Sequence, residues 1–176
     1  MKRWYAMSAI GRDRPGIVAD LAELIYESDC NLEDSRMTIL GSEFAVLLLL
    51  SAKDEEAERR LASGVKRLEW ETRLTVFVRP LDAPPPAPGD QPPGVPLECV
   101  VTGVDRAGIV ARVARTVADH AANITDLHSE LRPEPESGTP IYTLRLRLAL
   151  RPGADAAPLR QALDRAAADL GVDLSV

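Results

Sequence analysis

Apolar residues along this chain recur with two spacings, one of helices and one of strands, and the two alternate in a fixed order. The stretch "RWYAMSAI" (residues 3–10) reads as a strand, and residues 15–28 then place Ile17, Val18, Leu21, Ala22, Leu24 and Ile25 on one helical stripe. "NLEDSRMTIL" and "SEFAVLLLL" read as two strands joined around Gly41 and Ser42. A second helix is expected from Asp54, a natural N-cap, with Ala57, Leu61, Val65 and Leu68 inward, and the strand "TRLTVFV" follows it. The second half repeats the series. Strand "LECVVTGV" precedes a helix with Ile109, Val110, Val113, Ala114, Val117 and Ala121 inward. Strands near 123–132 and 140–150, a helix carrying Leu159, Leu163, Ala166 and Leu170, and a last strand after Gly171 complete it.

The order βαββαβ, met twice, predicts an α+β protein of two tandem ferredoxin-like domains. Each is a four-stranded antiparallel sheet with both helices on one face. The expected boundaries are 1–79 for the first domain, 80–96 for a linker and 97–176 for the second. The linker is "PLDAPPPAPGDQPPGVP", in which eight of seventeen residues are proline. That is too many for helix or sheet, and as polyproline II it would reach roughly 50 Å. The alternation in "YTLRLRLAL" sends Arg145 and Arg147 to the sheet face without helices, while Leu144, Leu146 and Leu148 pack beneath them. "FAVLLLL" is apolar at both parities, so the helix-free face of the first sheet carries either Ala45 and Leu47 or Val46 and Leu48, and is expected to be covered by another domain or subunit.

Composition narrows the function. With 45% apolar and 27% charged residues and no apolar run near the roughly 18 residues that span a bilayer, a water-soluble, cytoplasmic protein is expected. A net charge of −6 argues against a nucleic-acid surface, and the basic run Arg59, Arg60, Lys66 and Arg67 lies among glutamates, as on a solvated helix face. An RNA-binding sheet of this topology needs stacked aromatics, and the chain has two Phe. Cys30 and Cys99 lack a CxxC neighbour and read as buried thiols. His120 and His128 have no partners at zinc spacing, so no metal or cofactor is expected, and no Ser/His/Asp or Cys/His set suggests catalysis.

What remains is a repeated turn. "GRDRPGIVAD" from Gly11 returns ninety-two residues later as "GVDRAGIVAR", and ten of the twenty-four positions from 11 to 34 are identical at that offset. Asp13 and Asp105 stand where a strand gives way to a helix, and two readings of them stay open. Each can cap the helix through its carboxylate. Alternatively, the unpaired N–H groups of the helix start, approachable beside Gly16 or Gly108, hold the carboxylate of a small ligand while the aspartate faces its ammonium. Asn31 and Asn123, opening the next strand, offer an amide donor and acceptor, or are left-handed residues leaving the helix.

The strand ending in "GRDRPGIVADLAELI", followed by "CNLEDSRMTI" and "EFAVLLLL", resembles the ACT domain, and two such units with little else resemble the glycine cleavage system transcriptional repressor family. This resemblance implies regulation rather than catalysis. It places Asp13, Arg14, Gly16, Ile17 and Asn31 around one ligand pocket and Asp105, Arg106, Gly108, Ile109 and Asn123 around another, each where the loop before a helix meets a strand of a neighbouring domain. It implies glycine or a similar small amino acid as effector and a transcription activator as protein partner; a homo-oligomer, a dimer, is expected as well. DRPG alone also suits the ACT unit of formyltetrahydrofolate deformylase or a uridylyltransferase, enzymes that carry a further catalytic domain. Two departures bear on whether the pockets bind equally: Ala107 stands where proline is usual, and "RPEPESGTP" lengthens the second hairpin. The alternatives are a structural oligomerisation module without ligand and a regulatory subunit of an amino-acid metabolic enzyme.

Overall fold

The computed structural model describes residues 2–86 and 94–176, and the chain divides after residue 86 into two compact units. The first contains β1 (Arg3–Arg12), α1 (Ile17–Glu27), β2 (Cys30–Leu40), β3 (Glu43–Ala52), α2 (Glu55–Thr72) and β4 (Thr75–Leu81). The second contains β5 (Val95–Val104), α3 (Ile109–Asp119), β6 (Asn123–Pro133), β7 (Pro140–Leu150), α4 (Ala157–Leu170) and β8 (Asp173–Ser175). The sheets run β2-β3-β1-β4 and β6-β7-β5-β8, antiparallel throughout. Each unit is therefore the expected βαββαβ layer of two helices on one sheet.

Strand parity sets the core. Tyr5, Met7 and Ala9 of β1 and Phe44, Val46, Leu48 and Leu50 of β3 are buried and pack with Ile17, Leu21, Leu24 and Ile25 of α1 and Ala57, Leu61, Val65 and Leu68 of α2. The other parity, including Ile10 and Leu47, lies on the open face. In the second unit Leu144, Leu146 and Leu148 are buried, while Arg145 and Arg147 point outward.

Several details depart from the pattern. α1 starts at Ile17 rather than residue 15, because Gly16 takes φ 94° and interrupts the helical run. Val18 and Ala22 are exposed rather than inward: their flank of α1 overhangs β2, which is the edge strand of its sheet among the described residues. Val110, the equivalent of Val18, is 36% exposed. Ala121 is also exposed, since α3 ends at Asp119 and Ala121 turns left-handed at φ 53°. Strands reach into both ends of the proline-rich stretch. Pro80 is tolerated in β4, an edge strand, and Pro96 in β5 lies beyond the short reach of β8, which pairs with Val100 to Thr102 alone. Residues 87–93 of the expected linker lie outside the described residues.

Candidate functional site

The repeated turn is fixed by packing before any chemistry begins. A Cβ on Gly11 would stand 2.8 Å from Leu74 Cδ2, and one on Gly103 would stand 2.7 Å from Val172 Cγ1. Both glycines let the segment before the last strand lie against the first strand. The turn that follows is tied to the neighbouring strand: Asp13 N–H donates to the Ser42 carbonyl at 2.7 Å and Asp105 N–H to the Pro140 carbonyl at 3.1 Å.

Each helix then begins at a left-handed glycine, Gly16 at φ 94° and Gly108 at φ 99°. Neither start receives a side-chain cap. The capping reading of Asp13 and Asp105 is thereby corrected, because glycine occupies the cap position three residues further on and both aspartates remain exposed. The first-turn amides of α1 and α3 keep their ligand-accepting character, with the positive end of the helix dipole behind them.

The two arginines of the turn differ in their ties. Arg14 folds back to Asp20 at 2.6 Å and donates to the Pro15 carbonyl at 3.2 Å. At the position of Asp20 the second unit has Arg112, which pairs with Asp169 at 3.2 Å, so Arg106 instead donates to the Leu170 carbonyl near the end of α4 at 3.1 Å. Ile17 and Ile109 are buried in their cores, leaving their backbone rather than their side chains for a ligand.

Asn31 and Asn123 are not brought to these turns. Asn31 stands opposite Ser51, which stands opposite Trp4, while the turn follows Arg12 at the other end of β1, about 27 Å away at ~3.4 Å per residue. Asn123, opposite Ala149, is placed likewise in the second sheet. The left-handed residues leaving the helices are Asp29 and Ala121, so neither asparagine fills that role. No single unit assembles all five residues of its set around one pocket.

Around Asn31 lies a polar cluster that the sequence pattern did not disclose. Glu33 receives Lys2 Nζ at 2.8 Å and the Ser51 hydroxyl at 2.6 Å, and these bonds, with one from Asn31, hold its carboxyl down to about 2. A one-residue bulge between Leu32 and Asp34 places Glu33 there, and the second sheet is bulged at the same point, between Ile124 and Asp126. In the sequence the extra residue shows as a change of apolar parity, from Leu32 to Met37 and Ile39, which pair with the buried parity of β3. The cluster borders a surface hollow of about 600 Å³ lined by Tyr26, Asp29, Asn31 and Lys53 among others.

The arginines of the basic run on α2 are each paired with a carboxylate. Arg59, Arg60 and Arg67 pair with Glu56, Asp29 and Glu27 at 2.8, 2.6 and 2.8 Å. Cys99 is buried, its thiol pushed up to about 11 by desolvation, and Cys30 is half-buried, raised first by burial and then by Asp29. His120 Nδ1 lies 2.8 Å from the Thr116 carbonyl. Among the described residues, no group of three or more His, Cys, Asp or Glu is placed to hold a metal ion, and no helix is long and apolar enough to cross a membrane.

The ACT domain family model matches residues 6–79. UPF0237 protein MK1213 of Methanopyrus kandleri is 36% identical over 74 residues, covering 42% of this chain and 82% of that protein. The chain belongs to the ACT-domain family. This ACT protein is also 27% identical over 175 residues to the glycine cleavage system transcriptional repressor of Escherichia coli (strain K12), across 99% of the chain and 90% of that protein. A crystal structure of an unknown protein from Galdieria sulphuraria shares both units, with a TM-score of 0.78, 29% identity, and 99% and 97% of the two chains covered. The crystal structure of a putative glycine cleavage system transcriptional repressor has the same fold at a TM-score of 0.75 and 20% identity, covering 99% of this chain and 96% of its own. The two tandem ACT units are related to that repressor family, and family membership supports a non-catalytic, regulatory role.

Proposed function

We propose that this ACT protein senses a small amino acid of glycine's size and acts through a regulatory protein partner, such as a transcription activator. The observation that carries the reading is the pair of helix starts with a left-handed glycine and no side-chain cap, each beside an exposed aspartate. A zwitterion matches that arrangement at both ends. Its carboxylate takes the first-turn N–H groups after Gly16 or Gly108, and its ammonium faces Asp13 or Asp105. Asn31 and Asn123, at the far end of their own sheets, take no part in this arrangement within a unit. The name of the Escherichia coli relative, similar over nearly the whole chain, supports glycine as the first ligand to try.

Magnitude suits a metabolite gauge. Glycine has five heavy atoms, and at most about 1.5 kcal/mol per atom sets a ceiling near 7.5 kcal/mol, a dissociation constant no tighter than a few micromolar. A thermal-shift panel of the common amino acids tests the reading. A small amino acid is expected to raise Tm in a concentration-dependent way, and an Asp13→Ala, Asp105→Ala double variant to lose that response. Absence of stabilisation by any amino acid, or a response unchanged in the double variant, contradicts it.

A further inference from the structure

The open face of the first sheet is patterned as well as apolar. Register places its side chains in rows across β2, β3, β1 and β4, and three rows run Arg36-Leu47-Ser8-Phe77, Asp34-Leu49-Ala6-Arg79 and Thr38-Ala45-Ile10-Thr75. Leu47 is 57% exposed, Phe77 64% and Ile10 53%. In every row one central strand carries a large apolar side chain and the other a small one: Leu47 beside Ser8, Leu49 beside Ala6, Ile10 beside Ala45. A shallow hollow of about 180 Å³ lies among Ala6, Asp34, Arg36, Leu47 and Leu49.

We propose that this face pairs with the same face of a second copy of the chain, about a two-fold axis parallel to the strands, with β1 of one copy over β3 of the other. The inference goes beyond the ligand reading and does not depend on it. That axis exchanges β1 with β3 and β2 with β4. Leu47 then descends on Ser8 of the second copy, Leu49 on Ala6, and Ile10 on Ala45, so each large side chain meets a gap. At the rims Asp34 meets Arg79, and Arg36 meets the ring of Phe77. An axis across the strands would lay β3 on β3, leucine against leucine, and leave Ser8 and Ala6 facing an unfilled gap.

The extent of the face is sufficient. Four strands at about 4.8 Å and the run from Trp4 to Arg12 form a plate of about 19 by 27 Å, so two plates cover on the order of 1,000 Å², the lower end for a specific interface. The open face of the second sheet has a different chemistry. It presents Glu98, Asp126, Glu130, Arg145 and Arg147, which would lose hydration against leucine and phenylalanine.

Sedimentation velocity on the full chain gives the first reading, with a species of twice 19.1 kDa expected. Asp34→Arg and Arg79→Asp are each expected to weaken the dimer about tenfold, and the two together in one chain to restore it, since these residues meet only across the axis. A folded wild-type chain that stays monomeric at about 100 μM overturns the proposal. So does a dimer that the double charge exchange fails to restore.

Discussion

Gly16 and Gly108 hold the backbone in a region that costs an L-residue roughly 1–2 kcal/mol. No atom lies within 4 Å of a Cβ placed on Gly108, so Gly108→Ala is expected to lower stability by about that amount through the backbone alone, as read by urea unfolding. Glu33 offers a test by pH. Its carboxyl is held down to about 2 from an ordinary 4.5, first by Lys2, then by Ser51 and Asn31. A depressed carboxylate contributes stability that is fully present above the ordinary value and is lost as pH falls through the lowered one. Glu33→Gln is therefore expected to flatten the acid limb of stability between pH 4.5 and about 2, measured by thermal melts across that window.

Among the elements, α1 and α2 start by different means, and this separates the two aspartates. Asp54 accepts the Ala57 N–H at 2.9 Å, so Asp54→Ala is expected to cost about 0.5–2 kcal/mol. Asp13 caps nothing, and Asp13→Ala is expected to stay within about 0.5 kcal/mol of wild type in the same denaturant titration. The helices and strands were legible because long stripes such as Leu21, Leu24 and Ile25, or Leu144, Leu146 and Leu148, carry one period over many residues. Ends were less so. A left-handed Gly16, an Ala121 that turns out of α3, and a Pro80 carried by an edge strand are decided by single residues and by neighbours far along the chain. For the site, the turn glycines and aspartates stood out through repetition, whereas the distance between Gly16 and Asn31 follows from sheet register, and the Glu33 cluster from a bulge. Both leave faint marks that a single short strand makes easy to pass over: the turn at Gly41 and Ser42 pins the β2–β3 register, and the bulge shows as a change of apolar parity from Leu32 to Met37 and Ile39.

At the scale of the molecule, two ACT units carry the same open helix start on sheets of contrasting outer face, apolar in the first and charged in the second. The turn is alike in the two units while their outer faces differ, which fits one ligand chemistry read twice and separate surfaces for association. A ligand bound at those turns signals only if it favours one association state over another, so its affinity and the oligomeric state are expected to be linked. The most direct measurement is amide NMR of the full chain during titration with glycine. The account predicts the largest shifts at the amides of residues 16–19 and 108–111, and their loss in the Asp13→Ala, Asp105→Ala variant. Saturating glycine that leaves those amides unmoved, or moves others instead, contradicts it.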